Sequence, residues 1–207
     1  MITLEYVCTG NCGRSPMAEV IAQRHVNRLG LTGKINVSSS GSGIHDKTMK
    51  TGDARKEQQL GVIKLGLNYG IFNGDMDLEA RRVLNDDSQT EIDNCFDYIV
   101  QTERILRDMA LWEVGLFAEG VYHQATDVHD DSRIILPMVS SNVEQVKTIY
   151  EGSGVLPYVV ALNEFASLDG EIANPFCQHL PVYRETREDL LRVVPMSVEK
   201  AIEEFKL

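Results

Sequence analysis

The spacing of apolar residues changes along the chain, and each change marks an element. Ile2–Val7 is a short apolar run that predicts a buried strand. From Pro16 to about Leu29 the pattern is helical, with Gly30 as a natural stop. Lys34–Ser38 predicts a second strand, leading into the polar, turn-rich stretch Ser38-Ser39-Ser40-Gly41-Ser42-Gly43. Asp53 to about Leu67 predicts a helix, because Leu60, Ile63 and Leu67 recur at spacings of three and four. Asn68-Tyr69-Gly70 and Phe72-Asn73-Gly74 punctuate it, and Leu78–Leu84 gives a further helical piece before an acidic turn. Phe96–Val100 reads as another buried strand, and Thr102 as the cap of a helix to about Met109.

Further on, Ile134–Val139 predicts an extra strand, Asn142–Tyr150 an extra helix and Val159–Phe165 a fourth strand. The last helix carries Leu190, Val194, Val198, Ala201 and Phe205 on one face, and Pro195 inside it predicts a kink or a break. Strands alternating with helices predict an α/β fold, a parallel sheet with helices on both faces. Such sheets bind ligands beyond the carboxyl ends of their strands.

The first strand ends in the stretch with the most chemistry, Cys8-Thr9-Gly10-Asn11-Cys12-Gly13-Arg14-Ser15-Pro16. Ser15 reads as a helix N-cap and Pro16 as the first helical residue, while Glu19 lies one position beyond a capping box. A tight loop between strand and helix turns its backbone N–H groups inward at a helix N-terminus, which makes an anion cradle. A Cys8 thiolate at its mouth would be a nucleophile. Arg14 offers a planar fork for two oxygens of a tetrahedral oxyanion such as phosphate or sulfate. Ser15 can donate a hydrogen bond to the sulfur, and Gly10 and Gly13 permit close approach or positive φ.

Composition narrows the partners. The chain has 207 residues, 43% of them hydrophobic, enough for one domain spanning 1–207 with an ample core. A net charge of −11 argues against nucleic acid and anionic membrane as partners, so an anionic ligand must be held by local donors. The cysteines at 8, 12, 95 and 177 fit neither a disulfide framework nor a zinc site, and point to a reducing cytoplasm. No membrane span or secretion signal is expected. His123, Asp127, His129, Asp130 and Asp131 form a polar cluster without metal-site spacing, so neither a metal nor a cofactor is expected. His45 is a candidate for the rim of a substrate entrance, and Trp112 is expected to pack rather than bind.

The stretch VCTGNCGRSPMAE (7–19) resembles the phosphate-binding loop of the low-molecular-weight protein tyrosine phosphatases, especially the bacterial branch that includes protein arginine phosphatases. The resemblance resumes at Gly170–Phe176 and Leu180–Thr186, and covers roughly 1–105 and 159–207. It implies a three-layer α/β/α sandwich around a central four-stranded parallel sheet, with 110–157 as a family-atypical insertion. It also implies a phosphocysteine intermediate on Cys8, phosphoryl oxygens held by Arg14 and the 9–15 backbone, Asn11 bracing the loop, Ser15 assisting the thiolate and Ser39 buttressing it. The substrate class would be a phosphorylated protein side chain or a small phosphate monoester.

Departures from the pattern bear on activity. Gly13 stands where the family carries a second cysteine, and Cys12 takes the preceding position, which helps select the phosphorylated side chain; a Cys8–Cys12 disulfide is one redox reading. Asn174 stands where the family has its general-acid aspartate, and an amide cannot exchange a proton at neutral pH. That loss is typically worth about 10²–10⁴-fold. Asp169 and Glu171 are the nearby carboxylates that could substitute. Three readings follow: a phosphatase running without its usual acid, a degenerate phosphate-binding module, and an arsenate reductase, which would need Cys95 or Cys177 as a relay.

Overall fold

The computed structural model describes every residue except 86–87, 122 and 130–132. The chain runs β1 (Ile2–Cys8), α1 (Arg14–Arg28), β2 (Ile35–Gly41), a 3-10 turn at Ser42–Ile44, α2 (Gly52–Asn68), α3 (Asp75–Val83) and α4 (Gln89–Trp112). It continues through β3 (Arg133–Pro137), α5 (Ser140–Tyr150), β4 (Tyr158–Val159), α6 (Leu162–Phe165) and α7 (Leu180–Phe205). The four strands form one parallel sheet in the order β2-β1-β3-β4. This is the α/β architecture expected.

β1 is interior, and all seven of its residues are buried. Its side chains alternate: Leu4, Tyr6 and Cys8 join the core beneath α1 and α7, and Val7 joins Ile135 against α5. Glu5 is buried among polar partners, taking a 2.8 Å contact from Arg133 and a 2.5 Å hydrogen bond from Ser40 Oγ. The Tyr6 and Ser197 hydroxyls meet at 3.0 Å and tie the strand to α7. After β2 the chain crosses back over β1 to reach β3, so the switch point of the sheet lies at the carboxyl end of β1. Cys8 is the last residue of that strand, where a crevice must open.

Two expectations change places. Phe96–Val100 is not a strand but lies within the 24-residue helix α4, as does the separate helix expected from Thr102. A short, largely apolar run fits strand or buried helix equally well. Ile92, Cys95 and Ile99 settle it, because they are all buried at helical spacing. The segment expected as an extra strand, Ile134–Val139, contributes β3, which lies between β1 and β4. Part of 110–157 is therefore integral to the sheet. Val159–Phe165 divides into the end of β4 and the short helix α6.

α2, α3 and the first half of α4 share a second apolar core (Ile63, Phe72, Ala80, Val83, Ile92, Ile99), which also receives Cys177. They make a helical cap beside the sheet's carboxyl edge. Each fully buried aliphatic side chain there contributes about 1.5–3 kcal/mol. α7 runs through Pro195 without a break, held by buried Val193, Val194, Val198 and Ala201, while Phe205 at its end is exposed. Trp112 is 69% exposed rather than packed. The acidic turn at 86–87 and the residues Asp130 and Asp131 of the polar cluster lie outside the described residues. Among the described residues no helix is long and apolar enough to cross a membrane.

Candidate active site

The loop from Cys8 to Ser15 curls at the end of β1, and the helix that follows starts earlier than expected. Arg14 is the first residue of α1 and Gly13 occupies the N-cap, so Ser15 is not the cap. Its hydroxyl has another task. Ser15 Oγ lies 3.0 Å from Cys8 Sγ, 3.1 Å from Asn11 Oδ1 and 3.2 Å from the Ser40 carbonyl. One proton serves one acceptor at a time, so these three compete, and a thiolate would win as the charged acceptor. Glu19 falls beyond the first turn, and its half-buried carboxyl, raised by desolvation, accepts from Ser39.

Asn11 holds the turn. Its φ of 47° places it, rather than Gly10 or Gly13, in the left-handed region that asparagine tolerates. Its amide donates to the Ser39 and Gln124 carbonyls at 3.3 Å, and its Oδ1 accepts from Ser39 Oγ at 3.1 Å. Ser39 thus sits where a buttress is needed. The glycines that the geometry does require belong to the neighbouring strand end. A Cβ on Gly43 would come within 2.6 Å of Thr9 Cγ2, and one on Gly41 within 3.0 Å of the Thr9 carbonyl oxygen. Asn142 of α5 steadies the other side, donating to Thr9 Oγ1 at 3.1 Å.

Arg14 is buried, and its Nη1 donates to the Ile172 carbonyl at 3.0 Å. Ile172 N in turn donates to the Met138 carbonyl, so the 170–176 loop is docked onto both the arginine and the end of β3. Burial lowers the guanidinium from its ordinary value, and Cys8, Cys12 and Glu171 pull it back up. Cys12 is a buried free thiol, pushed up to about 12 by desolvation and then by Cys8 and Glu103. Its carbonyl accepts from Arg107 Nη1 at 3.2 Å.

A cavity of about 540 Å³ opens above the loop. Cys8, Thr9, Gly10, Cys12, Gly13 and Arg14 form one end, and Asn174, Pro175 and Phe176 form part of the wall. α2 and α4 supply much of the rest, including Arg55, Val62, Phe96, Val100, Glu103 and Arg104, and Ile44, Met49, His123 and Tyr183 also line it. Apolar walls above an anion cradle suit a phosphoryl group carried on an apolar or aromatic stem.

Several expected residues fall elsewhere. His45 does not line the cavity; its Nδ1 accepts from the Lys47 backbone N–H at 3.0 Å. Glu171 is no spare acid, because hydrogen bonds from the Ser140 side chain and from Ser140 N, the latter at 2.6 Å, hold its carboxylate below the usual range. Asp169 is outside the cavity lining as well. Cys95 and Cys177 are fully buried and raised by that burial, Cys177 to about 12, so neither is placed as a relay thiol.

Two wall residues have no cavity role in the sequence reading, Glu103 unnamed there and His123 only part of a polar cluster. His123 Nε2 lies 2.7 Å from the Gly10 carbonyl oxygen, the Nε2–H tautomer donating, and burial lowers its pKa. Glu103 is 1% exposed and raised to about 8, chiefly by desolvation. Its Oε1 accepts from Cys177 N at 2.7 Å, while its Oε2 has no hydrogen-bond partner among the described residues. An acidic residue at the helical spacing of the α4 core face (Ile92, Cys95, Ile99, Glu103) was the available signal.

Comparison with known proteins accords with this geometry. Residues 3–64 match the family model for low molecular weight phosphotyrosine protein phosphatase. No curated protein sequence matches the chain. A YwlE mutant from Bacillus subtilis superposes with a TM-score of 0.58 at 19% identity, covering 97% of this chain and 99% of the other. The YwlE arginine phosphatase from Geobacillus stearothermophilus gives 0.57 at 22% identity, covering 98% and 94%. A protein tyrosine phosphatase from Entamoeba histolytica gives 0.57 at 14% identity, covering all of both chains. The resemblance read from the loop therefore extends to the fold of the whole chain.

Proposed function

We propose that the protein is a cysteine-dependent phosphatase acting on phosphorylated protein side chains of the phosphotyrosine type through a phosphocysteine intermediate, with 1–207 working as one unit. The observation that carries this reading is the 3.0 Å approach of the Ser15 hydroxyl to Cys8 Sγ, at the end of a cavity that Arg14 also lines. A hydroxyl donated to sulfur favours the thiolate, both as attacking nucleophile and as the group released when phosphocysteine is hydrolysed. The phosphoryl oxygens are received by the 9–15 backbone N–H groups and by the Arg14 fork, whose Nη1 is already fixed by Ile172. Fixing the arginine before substrate arrives lowers the reorganisation needed in the transition state. Neither step calls for a metal or cofactor. Four free cysteines accord with a reducing, cytoplasmic setting.

Asn174 favours a second reading. It lies in the cavity wall as an exposed amide without a proton to give, which suits a module that binds phosphorylated side chains without turning them over. Hydrolysis of p-nitrophenyl phosphate by the wild type, Cys8→Ser and Asn174→Asp separates the two. Turnover that disappears with Cys8→Ser and rises with Asn174→Asp supports the phosphatase. A wild type without turnover beside an active Asn174→Asp supports the binding module.

A further inference from the structure

The cavity wall holds a carboxyl group that the steps above leave unused. Glu103 lines the same cavity as Cys8 and Asn174 and is almost wholly buried. Its two oxygens differ. Oε1 is engaged by the backbone N–H of Cys177, three residues beyond Asn174, at 2.7 Å. Oε2 is buried with no hydrogen-bond partner among the described residues. An unpaired polar atom in a packed wall carries a cost, and sites that retain one commonly use it. Resting on the phosphatase reading, we propose that Glu103 is the general acid–base of this site and does through Oε2 what Asn174 cannot.

Burial provides the protonation state that the role needs. A carboxyl raised to about 8 still holds its proton at neutral pH, so it enters the first step as an acid. The titratable groups facing it are the Cys12 thiol of the loop and the Cys177 thiol of the 170–177 segment, both held up by burial. Arg104 and Arg107 act on Cys12 from the same helix as Glu103. Neither thiol supplies a proton as readily as a carboxylic acid.

In the first step the Cys8 thiolate attacks phosphorus, the S–P bond forms and the bond from phosphorus to the leaving oxygen breaks. That oxygen keeps the electron pair and takes the proton from Glu103 Oε2. In the second step water attacks phosphorus and gives a proton to the Glu103 carboxylate. The S–P bond breaks with its electron pair returning to Cys8, so both residues end as they began.

The test is Glu103→Gln, assayed on p-nitrophenyl phosphate and on phenyl phosphate across pH 5.5–9.5. p-Nitrophenolate leaves readily without a proton, whereas phenolate does not. The expected result is a loss of a few fold on the first ester and of about 10²-fold or more on the second. The wild type should lose kcat on phenyl phosphate as pH rises through about 8, and the variant should lack that limb. Adding Asn174→Asp to Glu103→Gln should restore phenyl phosphate hydrolysis. Equal rates for wild type and Glu103→Gln on phenyl phosphate would overturn the assignment. So would an equal loss on both esters with an unchanged pH profile, the mark of a purely structural role. Failure of the phosphatase reading is seen separately, as a wild type without turnover on either ester or as turnover that survives Cys8→Ser.

Discussion

Replacing Glu103 by glutamine should make the protein more stable in alkaline solution. An ordinary glutamate gives up its proton near 4.5, whereas Glu103 in the folded protein keeps it to about 8 because the charged form would be desolvated. Below 4.5 both the folded and the unfolded chain carry the proton, and the group has no effect on stability relative to that baseline. Between 4.5 and about 8 the unfolded chain has released it and the folded chain has not, so stability falls as pH rises through that window. At about 1.4 kcal/mol per pH unit the full loss is at most about 5 kcal/mol, comparable to the whole stability of many domains. Glutamine can still accept from Cys177 N and has nothing to ionise. Urea denaturation of both proteins at pH 6, 7.5 and 9 should therefore show Glu103→Gln gaining on the wild type with each rise in pH, at similar m-values. Titrating groups that do not feel Glu103, Glu19 among them, cancel in the difference, whereas Cys12 and Cys177 lose the Glu103 charge that helps hold them up and so add to the variant's gain at the alkaline end. Parallel stability curves would refute the reasoning, since they would mean that the carboxyl titrates alike in both states. A variant that is more stable at high pH yet slower on poor leaving groups would also show that its loss of activity is no folding defect.

Other substitutions test how the loop and sheet are held. Gly43→Ala places a methyl group 2.6 Å from Thr9 Cγ2 and should cost about 1–3 kcal/mol while lowering kcat/KM through displacement of Thr9. A thermal melt and a kcat/KM within error of the wild type would contradict that. Arg133→Met withdraws an ion-pair partner from buried Glu5 and should cost about 3–5 kcal/mol in urea unfolding. The double variant Glu5→Gln/Arg133→Met should recover most of it, and a double variant as weak as the single one would show that charge is not the reason.

What the sequence made legible was what is contiguous. Cys8, Asn11, Arg14 and Ser15 lie within eight residues of one another, and strand, loop and helix fix their mutual placement. The parallel sheet was legible for a similar reason, since β1 and α1 announce themselves by pattern. Ser15 was misassigned as a cap because a hydroxyl before a proline fits that role, and local spacing cannot reveal that the Cys8 sulfur lies 3.0 Å away. α2 and α3 of the helical cap are legible in the sequence, but the first half of α4 is hidden behind Phe96–Val100, whose largely apolar run outweighs the longer helical spacing of Ile92, Cys95 and Ile99. With that helix misread, Glu103 had no cavity to face. His123 and Gln124 reach the loop from more than a hundred residues away, in a stretch whose described residues form no helix or strand and so offer no periodicity to be read.

The short stretch from Ile172 to Cys177 has one foot in each of two hydrophobic interiors. Ile172 belongs to the main core beneath the sheet, and Cys177 to the core of α2, α3 and α4. Asn174 hangs between these anchors like the middle of a rope bridge, and its position over the loop reports on both banks. Damage to the cap, however remote from Cys8, would thereby reach the cavity wall beside the loop. On the phosphatase reading, mutations that loosen Ile63 or Ile99 would then register as sluggish catalysis in a chain that still looks folded, and the activity would be shaped partly by residues that never meet a substrate.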